Sequence, residues 1–192
     1  MAPRRAESFR DPDGGAEAPV KDSIARVIAS WHEARPELRV EPIAITARLA
    51  RLQAVLSPRL EAVFARYGLR GADFAVLATL VRLGAGSISQ GQLAAELGLS
   101  AGTVSLRLDR LAHLGLAQRL PDPDDGRGAL VALTRRGARL FEACAPEHLA
   151  NAAELLAGLS ERDREQLGQL LGTLLQTLEQ SESDGLVTPE TP

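Results

Sequence analysis

Thr103, Arg107 and Arg110 fall at i, i+4 and i+7 within the run Ser100 to Leu114, so on a helix they share one face, opposite Val104, Leu108 and Leu111. A hydroxyl and two guanidiniums on one outward stripe can donate hydrogen bonds to phosphate oxygens and base edges, and Arg110 is the foremost candidate for such a contact. Ser100 and Ser105 add two hydroxyls near the start of the same run. In an arbitrary helix the plain alternative is a solvated charged face. Further on, Asp125 and Arg127 stand in the loop Pro121 to Gly128, rich in Pro, Asp and Gly. An arginine at the tip of such a loop can enter a narrow minor groove and gain from its negative potential, with Asp125 holding the tip in shape. This is recognition chemistry directed at a polyanion. No glycine-rich phosphate loop, nucleophile elbow or spaced carboxylate pair accompanies it, which points away from an enzyme.

Two short amphipathic helices, Ser89 to Leu97 and Ser100 to Leu114, carry these residues and are joined by the tight turn Gly98-Leu99-Ser100. Ser89 with Gln92 three residues later makes a capping box, and Ser100 caps the second helix. Leu116 to Leu120 and Ala129 to Leu133 read as short strands around the Pro121 to Gly128 loop, and Ser87-Ile88 as a third, edge strand. Helix, turn, helix, hairpin is the order of a winged helix-turn-helix, a mainly α fold with a small β-hairpin wing, and it points to double-stranded DNA. The formal net charge of -3 over 192 residues runs against that partner. Between Ser100 and Arg139, however, seven arginines face four aspartates, a local excess of three positive charges.

The rest of the chain supports this module. Residues 1–20 and 181–192 read as disordered tails and 21–180 as one domain. Asp22 or Ser23 caps a first helix whose apolar face holds Ile24, Val27, Ile28 and the aromatic Trp31, and which ends before Pro36. Pro42 opens a long helix with a stripe from Ile45 to Tyr67, closed by Gly68; Pro58 predicts a bend there or a second start capped by Ser57. A helix from about Ala72 to Leu83 turns Phe74, Leu77, Leu80 and Val81 inward. Thr134 caps a helix to about Gly158, interrupted at Pro146. Ser160 caps the last, where Leu167, Leu170, Leu171, Leu174, Leu175 and Leu178 form one wide stripe. So many leucines exceed what one small domain buries, which suggests an intertwined homodimer; the other reading packs the helix within its own subunit.

His32, His113 and His148 lack ligand spacing and Cys144 stands alone, so no metal, cofactor or disulfide is implied. Cys144 lies beside Leu140, Phe141 and Ala143 and reads as a buried inert thiol, with a redox sensor as the alternative. The apolar runs are too short for a bilayer and the start lacks an apolar signal region, so a cytoplasmic protein without a membrane partner is expected.

Leu77-Ala78-Thr79-Leu80, Gln92-Leu93-Ala94, Ser100-Ala101-Gly102-Thr103-Val104-Ser105-Leu106-Arg107-Leu108-Asp109-Arg110-Leu111, Gly115-Leu116 and the wing Asp122-Pro123-Asp124-Asp125-Gly126-Arg127-Gly128 together resemble the MarR family of bacterial transcription regulators, over about Ile43 to Leu178. The resemblance implies a triangular homodimer with N- and C-terminal helices interleaved at one vertex. It implies a ligand-responsive regulator, a repressor that binds a pseudopalindromic operator in or near its own promoter. Release follows when a small molecule, or oxidation, changes the spacing of the two recognition helices. Trp31-His32-Glu33-Ala34-Arg35-Pro36-Glu37-Leu38 is similar to the added first helix of the urate-responsive branch. There a Trp, an acid on the helix before the helix-turn-helix, an Arg on the recognition helix and an Arg at the first wing strand surround an anionic purine. By motif position the effector-binding residues are Trp31, Arg107 and Arg119, while Ala75 occupies the acid's place. Asp73 lies two residues away, about 200° round a helix, and is expected to face elsewhere.

The implied effector is urate or a related aromatic anion, held by Arg107 and Arg119 with Trp31 stacked on it. Where many relatives carry consecutive arginines at the wing tip, this chain has Gly126 before Arg127, which predicts a shallower salt dependence of DNA binding. A winged-helix module for protein interaction that has lost DNA binding is the alternative from another class. Arg107, Arg110 and Arg127 oppose it.

Overall fold

Ten elements follow one another in the computed structural model, which describes residues 22–84, 86–122 and 129–183. The chain divides into two compact units, Met1–Val55 and Leu56–Pro192. The first contains helix α1, Ser23–Ala34, and residues 41–55, about the first four turns, of helix α2, Glu41–Arg66. Asp22 caps α1 by accepting from the Ala25 N–H at 2.7 Å. Its other oxygen accepts from Arg48 Nε on α2, also at 2.7 Å. The Arg48 hydrogen bond, followed by the Ala25 amide, holds the Asp22 carboxyl below its ordinary range. The apolar face expected to bury Trp31 is not covered. No residue of α1 is buried, and Val27 and Trp31 keep 45% and 43% of their surface. Sequence periodicity identifies an apolar face but not what covers it.

In the second unit the helix-turn-helix is built as its caps dictate. Helix α3, Gly71–Leu83, is followed by strand β1, Ile88–Ser89, and helix α4, Gln90–Leu97, whose cap Ser89 accepts from the Gln92 N–H at 3.0 Å. Helix α5, Ala101–His113, is capped by Ser100, which accepts from the Thr103 N–H at 3.3 Å. Gly98 and Gly115 end α4 and α5 at φ +60° and +68°, in the left-handed region where a Cβ is penalised. At each end two amides fold back on the helix: Gly98 N–H to Ala95 and Leu99 N–H to Ala94, then Gly115 N–H to Ala112 and Leu116 N–H to Leu111. Both turns therefore satisfy carbonyls that the helices leave open.

Strands β2, Ala117–Pro121, and β3, Ala129–Leu133, form the antiparallel wing, and β1 joins as the edge strand expected beside it, in the order β1-β3-β2. Arg119 stands opposite Val131, and Ile88 is also paired with Val131 from the other side. The core beneath runs through Val76, Leu77, Leu93, Val104, Leu108, Leu111, Leu116 and Val131, each 2% exposed or less. The rings of Phe64, Phe74, Phe141 and His148 extend it, with centroids 4.8–5.5 Å apart.

Helix α6, Arg135–Leu155, starts at the cap Thr134, and helix α7, Glu161–Ser183, follows. Gly137 packs so closely on the wing that a Cβ there would stand 2.0 Å from the Leu116 carbonyl oxygen. Two proline expectations change. No second start occurs at Ser57, because α2 is one helix containing Pro58, and α6 runs through Pro146 without interruption. A proline deletes one amide and crowds one carbonyl, a local cost that a long packed helix absorbs. The last helix also reaches Ser183, three residues into the stretch read as tail, since no glycine or proline intervenes before Gly185.

Among the described residues no helix is long and apolar enough to cross a membrane. On α7, Leu167, Leu170, Leu171, Leu174, Leu175 and Leu178 all remain 38–62% exposed. The reading that packs this stripe within its own subunit is therefore not what the chain does.

Candidate nucleic-acid interface

Helix α5 carries most of the candidate contacts, and two arginines hold it in place. Its inner side, Val104, Leu108 and Leu111, is essentially sealed in the core. From below, Arg110 Nε donates to Asp73 Oδ2 at 3.0 Å. From the wing, Arg119 on β2 pairs with Asp109 and reaches the Ser105 Oγ at 3.1 Å and the Ser105 carbonyl at 3.3 Å. The helix is thus tied to α3 on one flank and to the wing on the other.

Asp73 is only 1% exposed and also accepts from the Arg70 N–H at 2.9 Å, closing the start of α3. Its carboxylate is the acid that α3 turns toward Arg110 on α5, while Ala75, about 200° away round the same helix, is partly buried and has no charge to offer. A local signal was present: Asp73, Leu77 and Leu80 fall at i, i+4 and i+7 and so share the buried stripe. Its partner lies 37 residues away, beyond the reach of helical spacing.

The remaining candidates sort by what they touch. Ser100 is exposed, and its hydroxyl is 2.9 Å from that of Thr103. Ser105 is half-buried and engaged by Arg119. Arg107 is also half-buried; among the described residues it makes no hydrogen bond or ion pair. Arg110 retains 38% of its side-chain surface beside its bond to Asp73. The true centre of the outward face is a residue the charge pattern does not single out, Leu106, 74% exposed. It stands about 200° round the helix from Val104. Asp125 and Arg127 lie outside the described residues. Trp31 belongs to the first unit, and Arg107 and Arg119 to the second.

Cys144 is fully buried, and burial foremost, followed by Glu147, pushes its thiol above the ordinary range. That favours the unreactive thiol over the thiolate.

Comparisons with known proteins place this arrangement. A family model described as MarR family matches residues 67–128, from the end of α2 to the wing loop. Over 150 residues the chain is 34% identical to the HTH-type transcriptional regulator PecS of Dickeya dadantii, spanning 78% of this chain and 90% of that protein. It is 28% identical over 166 residues to the transcriptional repressor MprA of Escherichia coli, spanning 86% and 93%. The crystal structure of a mutant MarR from E. coli complexed with operator DNA superposes with a TM-score of 0.62 at 28% identity, covering 76% of this chain and 97% of that one.

Proposed function

The chain belongs to the MarR family of transcriptional regulators, and from that premise we propose that it is a homodimeric repressor that binds a pseudopalindromic DNA site and is released by a small aromatic anion. The observation that carries the DNA reading is the mounting of α5. Its inner side is fully packed, its flanks are fixed by Arg110 and Arg119, and its outer side is left to solvent. A helix so presented beside a β-ribbon fits the major groove, with the ribbon tip, Arg127 included, directed to the adjacent minor groove. Ser100, Thr103, Ser105, Arg107 and Arg110 are the proposed contacts on α5, with Asp125 shaping the wing tip.

The exposed leucines of α7 support the dimer, because a second copy supplies apolar surface for them. Two half-sites then follow from two-fold symmetry.

For the effector we propose urate or a related aromatic anion, bound through Arg107 and Arg119. Trp31 enters on the resemblance to the urate-responsive branch. Arg119 ties the wing to α5 through Asp109 and Ser105. An anion that competes for that guanidinium would loosen the tie, giving bound and unbound states different affinities for DNA.

The test is a gel shift of the full chain with the DNA upstream of its own coding sequence, repeated with urate and related anions. A saturable complex released by an anion is expected, with release blunted in Arg119→Ala and Trp31→Phe. Absence of a complex with every fragment at low salt would overturn the DNA reading. Release unchanged in both variants would overturn the effector site.

A further inference from the structure

Leu106 and Gly102 are two residues of α5 whose identities the fold itself does not require. Leu106 is the most exposed large apolar side chain among the described residues, at 74%. An exposed leucine alone is ordinary; its position makes it informative. It sits diametrically opposite the Val104, Leu108 and Leu111 face, at the middle of the surface that α5 offers outward. Gly102 lies four residues earlier, so the two are neighbours along that surface. A Cβ added to Gly102 would meet nothing within 4 Å, and its φ is not in the left-handed region. Nothing in the chain therefore demands glycine there, although glycine in a helix costs about 1 kcal/mol relative to alanine.

Together the pair makes a notch followed by an apolar knob, flanked by Thr103 and Arg110. A notch lets a backbone approach a ligand closely. The knob has no hydrogen-bonding group, so what it can read must be apolar. In the major groove the apolar base-edge group is the 5-methyl of thymine; the other groups exposed there donate or accept hydrogen bonds.

Resting on the DNA reading above, we infer that Leu106 is a specificity residue that packs on a thymine methyl group in each half-site, with Gly102 setting the depth at which α5 enters the groove. The contact adds sequence discrimination without adding charge, so it is separable from phosphate binding.

The experiment replaces thymines one at a time by deoxyuridine in the bound upstream fragment, which deletes the methyl and leaves pairing intact, and measures affinity by fluorescence anisotropy. At one position per half-site the wild-type chain should lose about four-fold, the effect of one methyl-sized group removed from apolar contact. Leu106→Ala, which removes the contact from both half-sites of the dimer at once, should bind the unmodified fragment about fifteen-fold more weakly, the product of two such losses, and be indifferent to the same deoxyuridine. Its slope of log affinity against log salt should be unchanged. Gly102→Ala should raise the melting temperature while weakening binding, which a purely structural glycine would not do.

Two results would overturn the inference while leaving DNA binding standing: no deoxyuridine penalty at any position, or the same penalties in Leu106→Ala as in wild type. Failure of the wild-type chain to bind any fragment would overturn the DNA reading and this inference with it.

Discussion

The winged lobe and the last helix meet their apolar surface in opposite ways. Within the lobe, Val76, Leu77, Leu93, Val104, Leu111 and Val131 are completely buried, and Asp73, the one buried carboxylate among the described residues, has an arginine and an amide on it. Helix α7 is as rich in leucine, yet from Glu161 to Ser181 none of its residues is buried. Helix α1 behaves like α7, with Trp31 and Val27 open. The lobe is complete within one chain. The terminal helices are not, and the difference marks where a second copy must act.

The leucine stripe of α7 is where substitution should have the largest effect. Leu170→Asp with Leu174→Asp places two charges on the stripe and should weaken self-association on the order of a thousand-fold, taking about 2 kcal/mol from each position. Sedimentation velocity reads the change, and circular dichroism should show the lobe still folded. A dimer of unaltered strength would remove the distinction between the two regions.

Inside the lobe the largest effect is expected at the Asp73–Arg110 pair. Arg110→Met leaves Asp73 buried without its cation and should cost about 3 kcal/mol of stability in urea denaturation. Adding Asp73→Asn should recover most of it, since the amide oxygen can still accept from the Arg70 N–H. Gly137→Ala follows at about 2 kcal/mol, because a methyl 2.0 Å from the Leu116 carbonyl forces the wing and α6 apart.

The smallest effect belongs to the first unit. The folded-state pKa of Asp22 is lowered by Arg48 and the Ala25 amide. Its stabilising contribution is therefore fully present above the ordinary carboxylate range and disappears as pH falls through the lowered folded value. Amide exchange of α1 should accelerate over that acidic window, and Arg48→Met should reduce the pH dependence to the part that the Ala25 amide supplies.

Much of the lobe was legible because it is written locally. Ser89, Ser100, Thr134 and Ser160 each cap the helix expected of them, and the edge strand at Ile88 lies beside the wing. What spacing could not reveal depends on distant partners or on their absence. Asp73 meets Arg110 across 37 residues, and Arg119 meets Ser105 across 14. Leu106 lies opposite the apolar stripe of α5, so periodicity gives it no role, and only its exposure in the folded chain sets it apart. Trp31 has an apolar face in sequence and an exposed one in the folded chain, for the reason that sets α1 and α7 apart from the lobe.

The central claim, that α5 and the wing of a dimer read a specific duplex, is tested most directly by titrating the full chain against its own upstream fragment and a shuffled duplex across a salt series. Two chains should bind each fragment, with affinity at least about a thousand-fold above that for the shuffled duplex at physiological salt and both affinities falling steeply as salt rises. Equal affinity for the two duplexes, or one chain per fragment at saturation, would contradict that claim.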